Sequence, residues 1–146
     1  MGQQQLLLII LGVIIVGIAV AVGITMFQDN AVSANKDAVV NDLVQLAAKA
    51  QQFYRKPVAL GGGGNNFDLI TKNEAGMQLL VSNAFSNNDN GFYRVATAGS
   101  DSVVVFEGFG KTALSDGTFP TVEMTVTQSG YQLGTWTTAT SVPTTY

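Results

Sequence analysis

A chain of 146 residues with seven basic and ten acidic side chains carries a formal net charge of −3, and its only adjacent basic residues are Arg55 and Lys56. Proteins that follow nucleic-acid phosphates carry clustered Lys and Arg, so this charge pattern excludes nucleic acid as a direct ligand. The chain contains no Cys and no His, which excludes disulfides, thiolate metal sites, cysteine nucleophiles and the commonest general base.

The first element is an uncharged apolar segment, residues 6–27, in which 16 of the 22 residues are Leu, Ile, Val, Met or Phe. A helix of this length can span a bilayer, and burial of so many large side chains contributes on the order of tens of kcal/mol. We predict that residues 1–28 form a hydrophobic helical stem that lies in a membrane or packs against other helices. A cleaved signal peptide is disfavoured because the segment lacks a basic leader and a small-residue cleavage site. The side chains predicted to form the apolar assembly surface are Leu6, Leu7, Leu8, Ile9, Ile10, Leu11, Val13, Ile14, Ile15, Val16, Ile18, Val20, Val22 and Ile24.

Three glycines, Gly12, Gly17 and Gly23, interrupt the apolar segment. Each costs about 1 kcal/mol relative to Ala in a helix interior, so we predict that they give the stem flexibility. Small residues also let helix backbones approach closely in lipid, and this alternative stays open beside flexibility.

Residues 28–56 continue the helical pattern with one apolar stripe on an otherwise polar surface. Nothing between Gln3 and Lys56 breaks a helix, and Pro57 stops it. The prediction is one continuous helix of about 80 Å at 1.5 Å per residue. The stripe predicted to pack on a sheet consists of Val32, Val39, Leu43, Leu46, Ala50 and Phe53.

A glycine-rich segment, VALGGGGNNF at residues 58–67, follows the helix. A phosphate-binding loop requires a Gly-Lys-Ser/Thr sequence or a complete GxGxxG pattern, and neither is present. We interpret the segment as a flexible loop that leaves the helix. Beyond it, a short helix is predicted over residues 75–82, with Leu79, Leu80 and Phe85 turned inward.

Four later runs have strand character: residues 92–97, 102–107, 121–128 and 131–138. In the third run, TVEMTVTQ, apolar and polar residues alternate, which predicts a sheet with one dry and one wet face. Turn signals such as Asn-Gly and Ser-Gly separate the runs. We therefore predict an α+β fold in which a small antiparallel sheet is covered by the helix stripe, with a globular head over residues 29–146.

No residues converge on a chemical site, and we predict a protein that is not an enzyme and holds no cofactor or metal. Catalysis by a Ser/His/Asp set requires His, and the carboxylates are scattered rather than paired. Residues 87–92, NNDNGF, have the composition of a calcium loop but lack its spacing and distal Glu, so a turn is preferred. Tyr131 and Trp136 are interpreted as packing residues. The Ser/Thr-rich residues 137–146 are interpreted as a solvated edge or tail rather than a glycosylated surface.

The order of these features resembles that of a type IV pilin over the whole chain, from GQQQLLLIILGVIIVGIAVAVGI through VQLAAKAQQFYRKP to the strands. The resemblance implies a long N-terminal helix, hydrophobic and then amphipathic, packed on a small antiparallel sheet. It implies a structural subunit, the major pilin, that polymerises through its N-terminal helices into an extracellular type IV pilus-like filament at the cell surface. Before assembly, such a subunit waits in the cytoplasmic (inner) membrane. The implied partners are identical subunits, a prepilin peptidase and a pilus assembly platform.

Three positions depart from the family pattern. The resemblance places the peptidase cut between Gly2 and Gln3, where Met1 stands instead of the usual Lys or Arg. Gln3 replaces a Phe that the family methylates, and Leu7 occupies the position of its glutamate. Two alternatives stay open: a pseudopilin of a type II secretion-like system, and a single-pass membrane-tethered binding domain that does not polymerise.

Overall fold

A computed structural model describes residues 2–146 of the chain. Its first element, helix α1 (Gly2–Arg55), runs for 54 residues, or about 80 Å at 1.5 Å per residue. The helix ends shortly before Pro57, whose ring removes a backbone donor and restricts the residue before it. The prediction of one continuous helix is confirmed.

The remaining elements form the head. In chain order they are a 3₁₀ turn (Val58–Leu60), α2 (Glu74–Gln78), α3 (Asn83–Ser86), β1 (Gly91–Thr97), β2 (Val103–Gly110), β3 (Phe119–Thr127), β4 (Tyr131–Leu133) and β5 (Thr137–Ala139). Within residues 2–146, the five strands form one antiparallel sheet in which β1, β2 and β3 lie side by side. Both β4 and β5 pair with the other edge of β3. The predicted α+β architecture with an antiparallel sheet is confirmed.

The strand predicted over residues 131–138 is split into two by a bulge. Met124 pairs with Leu133, and Thr121 pairs with Thr137. Two residues of β3 therefore lie opposite three residues, 134–136, on the other strand, which is the arrangement of a β-bulge. The backbone N–H of Gly134 donates to the Glu123 carbonyl over 2.8 Å and holds the bulge against β3.

One face of the sheet packs on the second half of α1. The six side chains of the predicted stripe are all buried, between 0% and 7% exposed. On β3, Val122, Met124 and Val126 are buried in the same core, while Glu123 is exposed, as the alternation predicts. The dry face of the sheet is thus covered by the helix.

The helix approaches the sheet closely at Gly108 of β2. A Cβ atom at this position would lie 3.0 Å from Val39 Cγ1, 3.1 Å from Leu43 Cδ1 and 3.2 Å from Tyr93 Cδ1. These separations are shorter than ordinary van der Waals contacts between carbon atoms. Glycine at this position therefore leaves the space that the helix side chains occupy.

The helix predicted over residues 75–82 is wrong in its extent and in the direction of Leu79. Two short helices, α2 and α3, occupy this part of the chain. Met77 and Leu80 lie three residues apart and turn toward the core, so Leu79 lies on the outer side and is 48% exposed. Phe85 packs against the core as predicted.

The glycine-rich segment folds back onto the end of α1, in contrast to the predicted loop that leaves the helix. Gly63 N–H donates to the Phe53 carbonyl over 2.8 Å, and Gly64 N–H donates to the Lys56 carbonyl over 2.9 Å. Carbonyl groups at the end of a helix lack partners within it, and the segment supplies them. Positive φ angles of 78° at Gly61 and 62° at Gly64 explain the need for glycine at these two positions.

Candidate functional site

A continuous apolar surface covers the first half of α1. All 16 large apolar side chains of residues 6–27, which include every predicted assembly residue, are between 51% and 78% exposed. In the part of the chain that the structure describes, none of the most hydropathic window of this helix is buried. The apolar surface is therefore available to surroundings outside the chain.

The surface surrounds the helix instead of forming a stripe, because successive residues are exposed on every side. Apolar patches on soluble monomers rarely exceed a few hundred Å². Residues 6–27 extend over about 33 Å, close to the roughly 30 Å of a bilayer hydrocarbon core. The helix is thus long and apolar enough to cross a membrane.

The three stem glycines lie within regular helix. No break occurs at Gly12, Gly17 or Gly23 in the described helix. A Cβ atom built at any of them would meet no heavy atom within 4 Å in residues 2–146. Contacts inside this chain therefore do not require glycine at these positions, and their predicted role in flexibility stays a prediction.

The start of α1 adds polar side chains to the apolar surface. Gly2 and Gln3, between which the peptidase cut is predicted, both lie in the helix and are exposed. Met1 lies outside the described residues. Leu7, at the position of the pilin glutamate, is 69% exposed and purely apolar. The site therefore offers neighbours hydrophobic contact from residue 6 onward and glutamine amides at residues 3–5.

A buried carboxylate joins the helix to the head at Asp42, and the sequence analysis missed it. Asp42 is 8% exposed. Its Oδ2 atom accepts hydrogen bonds from the Tyr93 hydroxyl (2.8 Å), Asn88 Nδ2 (2.9 Å) and Asn90 Nδ2 (3.1 Å). Burial, then the hydrogen bond and the charge of Asp42, raise the pKa of the Tyr93 hydroxyl far above its usual value. The sequence signal for this buried carboxylate was the position of Asp42, which directly precedes Leu43 of the apolar stripe. A charged residue at such a position requires polar partners.

The NNDNGF segment forms a turn against this carboxylate. Asn88 Oδ1 accepts hydrogen bonds from Asn90 N–H (2.9 Å) and Gly91 N–H (3.0 Å), which closes the turn from within. The amide groups of Asn88 and Asn90 point the other way, to Asp42. The side chains of this segment therefore position β1 against the helix.

The junction between stem and head contains a groove that the sequence did not indicate. Val32 is 7% exposed but lies under the connection between β2 and β3, at the near end of the core. The groove has a volume of about 260 Å³. Its lining residues are Asp29, Val32, Ser33, Lys36, Leu114 and Ser115. Asp116 follows in the same connection, and the Thr118 hydroxyl and then its backbone N–H lower the pKa of this carboxyl by hydrogen bonding.

The aromatic residues near the end of the chain differ in how far they are buried. Trp136 packs partly against the core, and Lys36 Nζ lies 5.2 Å from its ring centroid. Tyr131, which was also predicted to pack, is 51% exposed, because β4 is short and lies at the sheet edge. Tyr146 is not solvated as predicted: its hydroxyl is hydrogen-bonded to that of Ser86 and its ring packs partly against the core.

The titratable side chains are dispersed over the head. Within residues 2–146, no group of three or more His, Cys, Asp and Glu side chains lies close enough together to hold a metal ion. Arg94 and Glu107 pair across β1 and β2, with Nη2 and Oε2 separated by 2.8 Å. The exposed stem is consequently the feature of the described chain that most requires a partner.

No protein-family model, curated protein or solved structure matches this chain. The likeness to type IV pilins therefore concerns the arrangement of elements. A long N-terminal helix and a small antiparallel sheet are consistent with a pilin-like fold.

Proposed function

We propose that this chain is the major pilin of an extracellular type IV pilus-like filament. One observation carries the proposal: a single helix has an exposed apolar first half and a second half packed on the sheet of the head. Stems of this kind can bundle with one another while the heads stay outside. Contacts between identical copies that repeat without closing produce a helical fibre.

The same apolar surface serves storage and assembly in this proposal. Lipid covers the stem while the subunit waits in the cytoplasmic membrane, and the stems of neighbouring copies cover it in the filament. Helix association in an apolar solvent depends on packing rather than on a transfer from water. Assembly is thus an exchange between two apolar surroundings. The glutamine amides at residues 3–5 require hydrogen-bond partners in such a bundle.

Processing by a prepilin peptidase is part of the proposal. The cut falls between Gly2 and Gln3, and an assembly platform then moves the subunit out of the membrane. N-terminal sequencing of filament protein is expected to begin at Gln3. A sequence that begins at Met1 would separate this filament from peptidase-processed pilins.

Electron microscopy of filaments sheared from the cell surface, with mass spectrometry of their main component, tests the function. This chain is expected to be the major component. Scarce subunits and no long fibres would instead identify a pseudopilin, and a monomer that stays in the membrane would identify a tethered binding domain.

A charge in the stem gives a matched test. Val16→Lys places a cation in the centre of the apolar surface and is expected to abolish filaments. Gln132→Lys places the same charge on exposed β4 and is expected to preserve them. Normal filaments from the Val16→Lys variant would contradict a bundle of stems.

A further inference from the structure

The head has two ends along the axis of α1, and its distal end carries an exposed apolar protrusion. Val58 and Leu60, in the 3₁₀ turn after the helix, are 65% and 66% exposed. Arg55 and Lys56, directly before them, are also exposed. We call these residues the distal knob. A knob of two aliphatic side chains beside two cations fits an apolar recess bordered by carboxylates.

The proximal end of the head contains such a recess. It is the groove of about 260 Å³ that lies between α1 and the connection from β2 to β3, with Val32 and Leu114 as its aliphatic residues. Asp29 lines it, and Asp116 follows the lining residue Ser115. Both carboxylates lie on exposed residues. The groove therefore offers aliphatic residues to the knob and the carboxylates of Asp29 and Asp116 to its cations, while Lys36, which also lines the groove, lies over the indole ring of Trp136.

The charges of the two ends are not paired within the chain. In the region that the structure describes, Arg94 and Glu107 form the only ion pair. The cations of the knob and Asp29 are thus available to a second copy, and Asp116, which accepts hydrogen bonds from Thr118 over 2.9 and 2.6 Å, has no ion-pair partner in the described residues.

Other charges near the two ends already have contacts. Lys36, which lines the groove, lies over the indole ring of Trp136, and Lys111 donates hydrogen bonds within the head. Near the knob, Asp68 and Asp101 both accept hydrogen bonds from Asn66 Nδ2, at 2.9 and 3.3 Å. Arg55 and Lys56 are therefore the charges of the knob, and Asp29 and Asp116 are the carboxylates beside the groove.

Two distances along α1 are nearly equal: the distance from the groove to the knob, and the distance between the polar residues at the two ends of the stem. Asp29 and Arg55 are 26 residues apart, which corresponds to about 39 Å in a helix. Gln4 and Asp29 are 25 residues apart, which corresponds to about 38 Å. A parallel copy shifted by this distance places its groove on the knob below. It also places its residues 3–5 beside residues 28–30 of the lower copy.

The placement of residues 3–5 beside residues 28–30 avoids a contact between polar amides and an apolar stem, which other axial shifts would create. Residues 6–27 are uncharged and mostly apolar, and polar side chains occur on both sides of them. Amides at residues 3–5 would be unsatisfied if they lay beside another apolar stem. Beside Gln28 and Asn30, these amides can form amide–amide hydrogen bonds.

We propose that copies of this chain stack in parallel with a stagger of about 38 Å, the distal knob of each copy seated in the proximal groove of the next. The inference rests on the proposed filament and specifies the contact between its heads. At this stagger, the helix face opposite the sheet lies toward the stem of the upper copy. That face exposes amides and small residues such as Asn41, Gln45 and Ala48, together with the carboxylate of Asp37, which must keep its contact with water.

Cysteine cross-linking tests the contact directly, since the chain has no Cys of its own. Filaments of a Leu60→Cys, Ser115→Cys double variant are treated with a short bis-maleimide and dissociated in detergent. The expected result is a ladder of covalent oligomers, because each copy joins the copies above and below it. Each single variant is expected to give no ladder. A Gln132→Cys, Ser115→Cys double variant, with one thiol on exposed β4, is a control that is also expected to give none.

Charge reversal provides a second test that does not require cross-linking. Lys56→Glu is expected to reduce filament yield by up to about fivefold, the upper end of the scale for one exposed charge pair. Adding Asp29→Lys is expected to restore the yield, whereas adding Glu123→Lys, at an exposed position of β3, is not.

The outcomes separate the contact from the filament itself. If the wild-type chain forms filaments, two results would overturn the stagger and leave the proposed function standing. One is the absence of a ladder from the double-cysteine variant. The other is equal rescue of Lys56→Glu by both lysine substitutions. Absence of any filament from the wild-type chain would overturn both.

Discussion

The Tyr93 hydroxyl donates a hydrogen bond of 2.8 Å to Asp42 Oδ2 inside the head, which links β1 to α1. Tyr93 is fully buried, and Asp42 is 8% exposed. Burial of this side chain is tolerated because three donors converge on one of its oxygens. The contact therefore joins the helix to the sheet at one defined position, beside the apolar packing of the helix stripe.

Removal of this carboxylate is expected to destabilise the head. Asp42→Ala leaves the Tyr93 hydroxyl and two asparagine amides without their acceptor, at a cost of about 2–4 kcal/mol in the free energy of unfolding. Asp37→Ala, at an exposed position of the same helix, is expected to change it by less than about 0.5 kcal/mol. Urea unfolding of the full chain in detergent measures both, with Trp136, the only tryptophan, as the fluorescent probe. Equal effects of the two substitutions would argue against the network.

The same contact predicts a loss of stability at alkaline pH. The pKa of Tyr93 is raised in the folded state above its ordinary value of 10.0, so the folded protein retains this proton more strongly than the unfolded chain. The stabilisation is fully present below about pH 10 and decreases as the pH rises above that value. Tyr93→Phe is expected to flatten this decrease in urea unfolding between neutral and alkaline pH. Tyr131→Phe, which removes an exposed hydroxyl, serves as the control, and an identical flattening by both would refute the assignment.

A side chain at Gly108 is expected to push the helix away from the sheet. Gly108→Val adds three carbon atoms where even a Cβ would lie 3.0 Å from Val39, and overpacking of this kind costs about 1–3 kcal/mol. Gly130→Val is the matched control, because a Cβ there meets no heavy atom within 4 Å in residues 2–146. The free energy of unfolding should fall only for the first variant. A neutral Gly108→Val would show that the helix can shift at little cost.

Replacement of the stem glycines separates their role in the monomer from their role in the assembly. The variant with Ala at positions 12, 17 and 23 is expected to retain or increase helicity in detergent, since Ala is favoured by about 1 kcal/mol at each position. Filament yield is expected to fall, because flexibility or close packing is lost. Circular dichroism and filament yield are the two measurements. Unchanged filaments would remove the glycines from any account of assembly.

The head is expected to fold without its stem. Residues 29–146 contain the buried helix stripe and every strand of the described sheet. The fragment should therefore be a soluble monomer by size-exclusion chromatography, with a cooperative unfolding transition. Its recovery only as an unfolded precipitate would contradict an independent head domain.

The sequence was sufficient for features that depend on long, regular patterns. The limits of α1 followed from the absence of helix breakers before Pro57 and from a stripe with helical spacing. The exposed stem followed from composition alone, because no part of a head this small can cover 16 large apolar side chains. The candidate site was predictable for this reason.

Features that depend on distant partners were not predictable. Asp42 contacts Tyr93 across 51 positions of sequence, and nothing near Asp42 indicates which donors it will meet. The bulge at residues 134–136 is defined by pairing with β3, and the direction of Leu79 is defined by the burial of Met77. In each case tertiary packing selects among local arrangements that the sequence alone permits.

The uninterrupted course of α1 has a mechanical consequence. Its backbone hydrogen bonds run from the apolar stem into the core of the head, so a tensile load applied to the stem is transmitted directly to the interface with the sheet. Such a load acts in shear along that interface, where many buried side chains and the Asp42 linkage must slide together. In a loaded fibre, the stems should therefore slip past one another before the helix is stripped from its sheet.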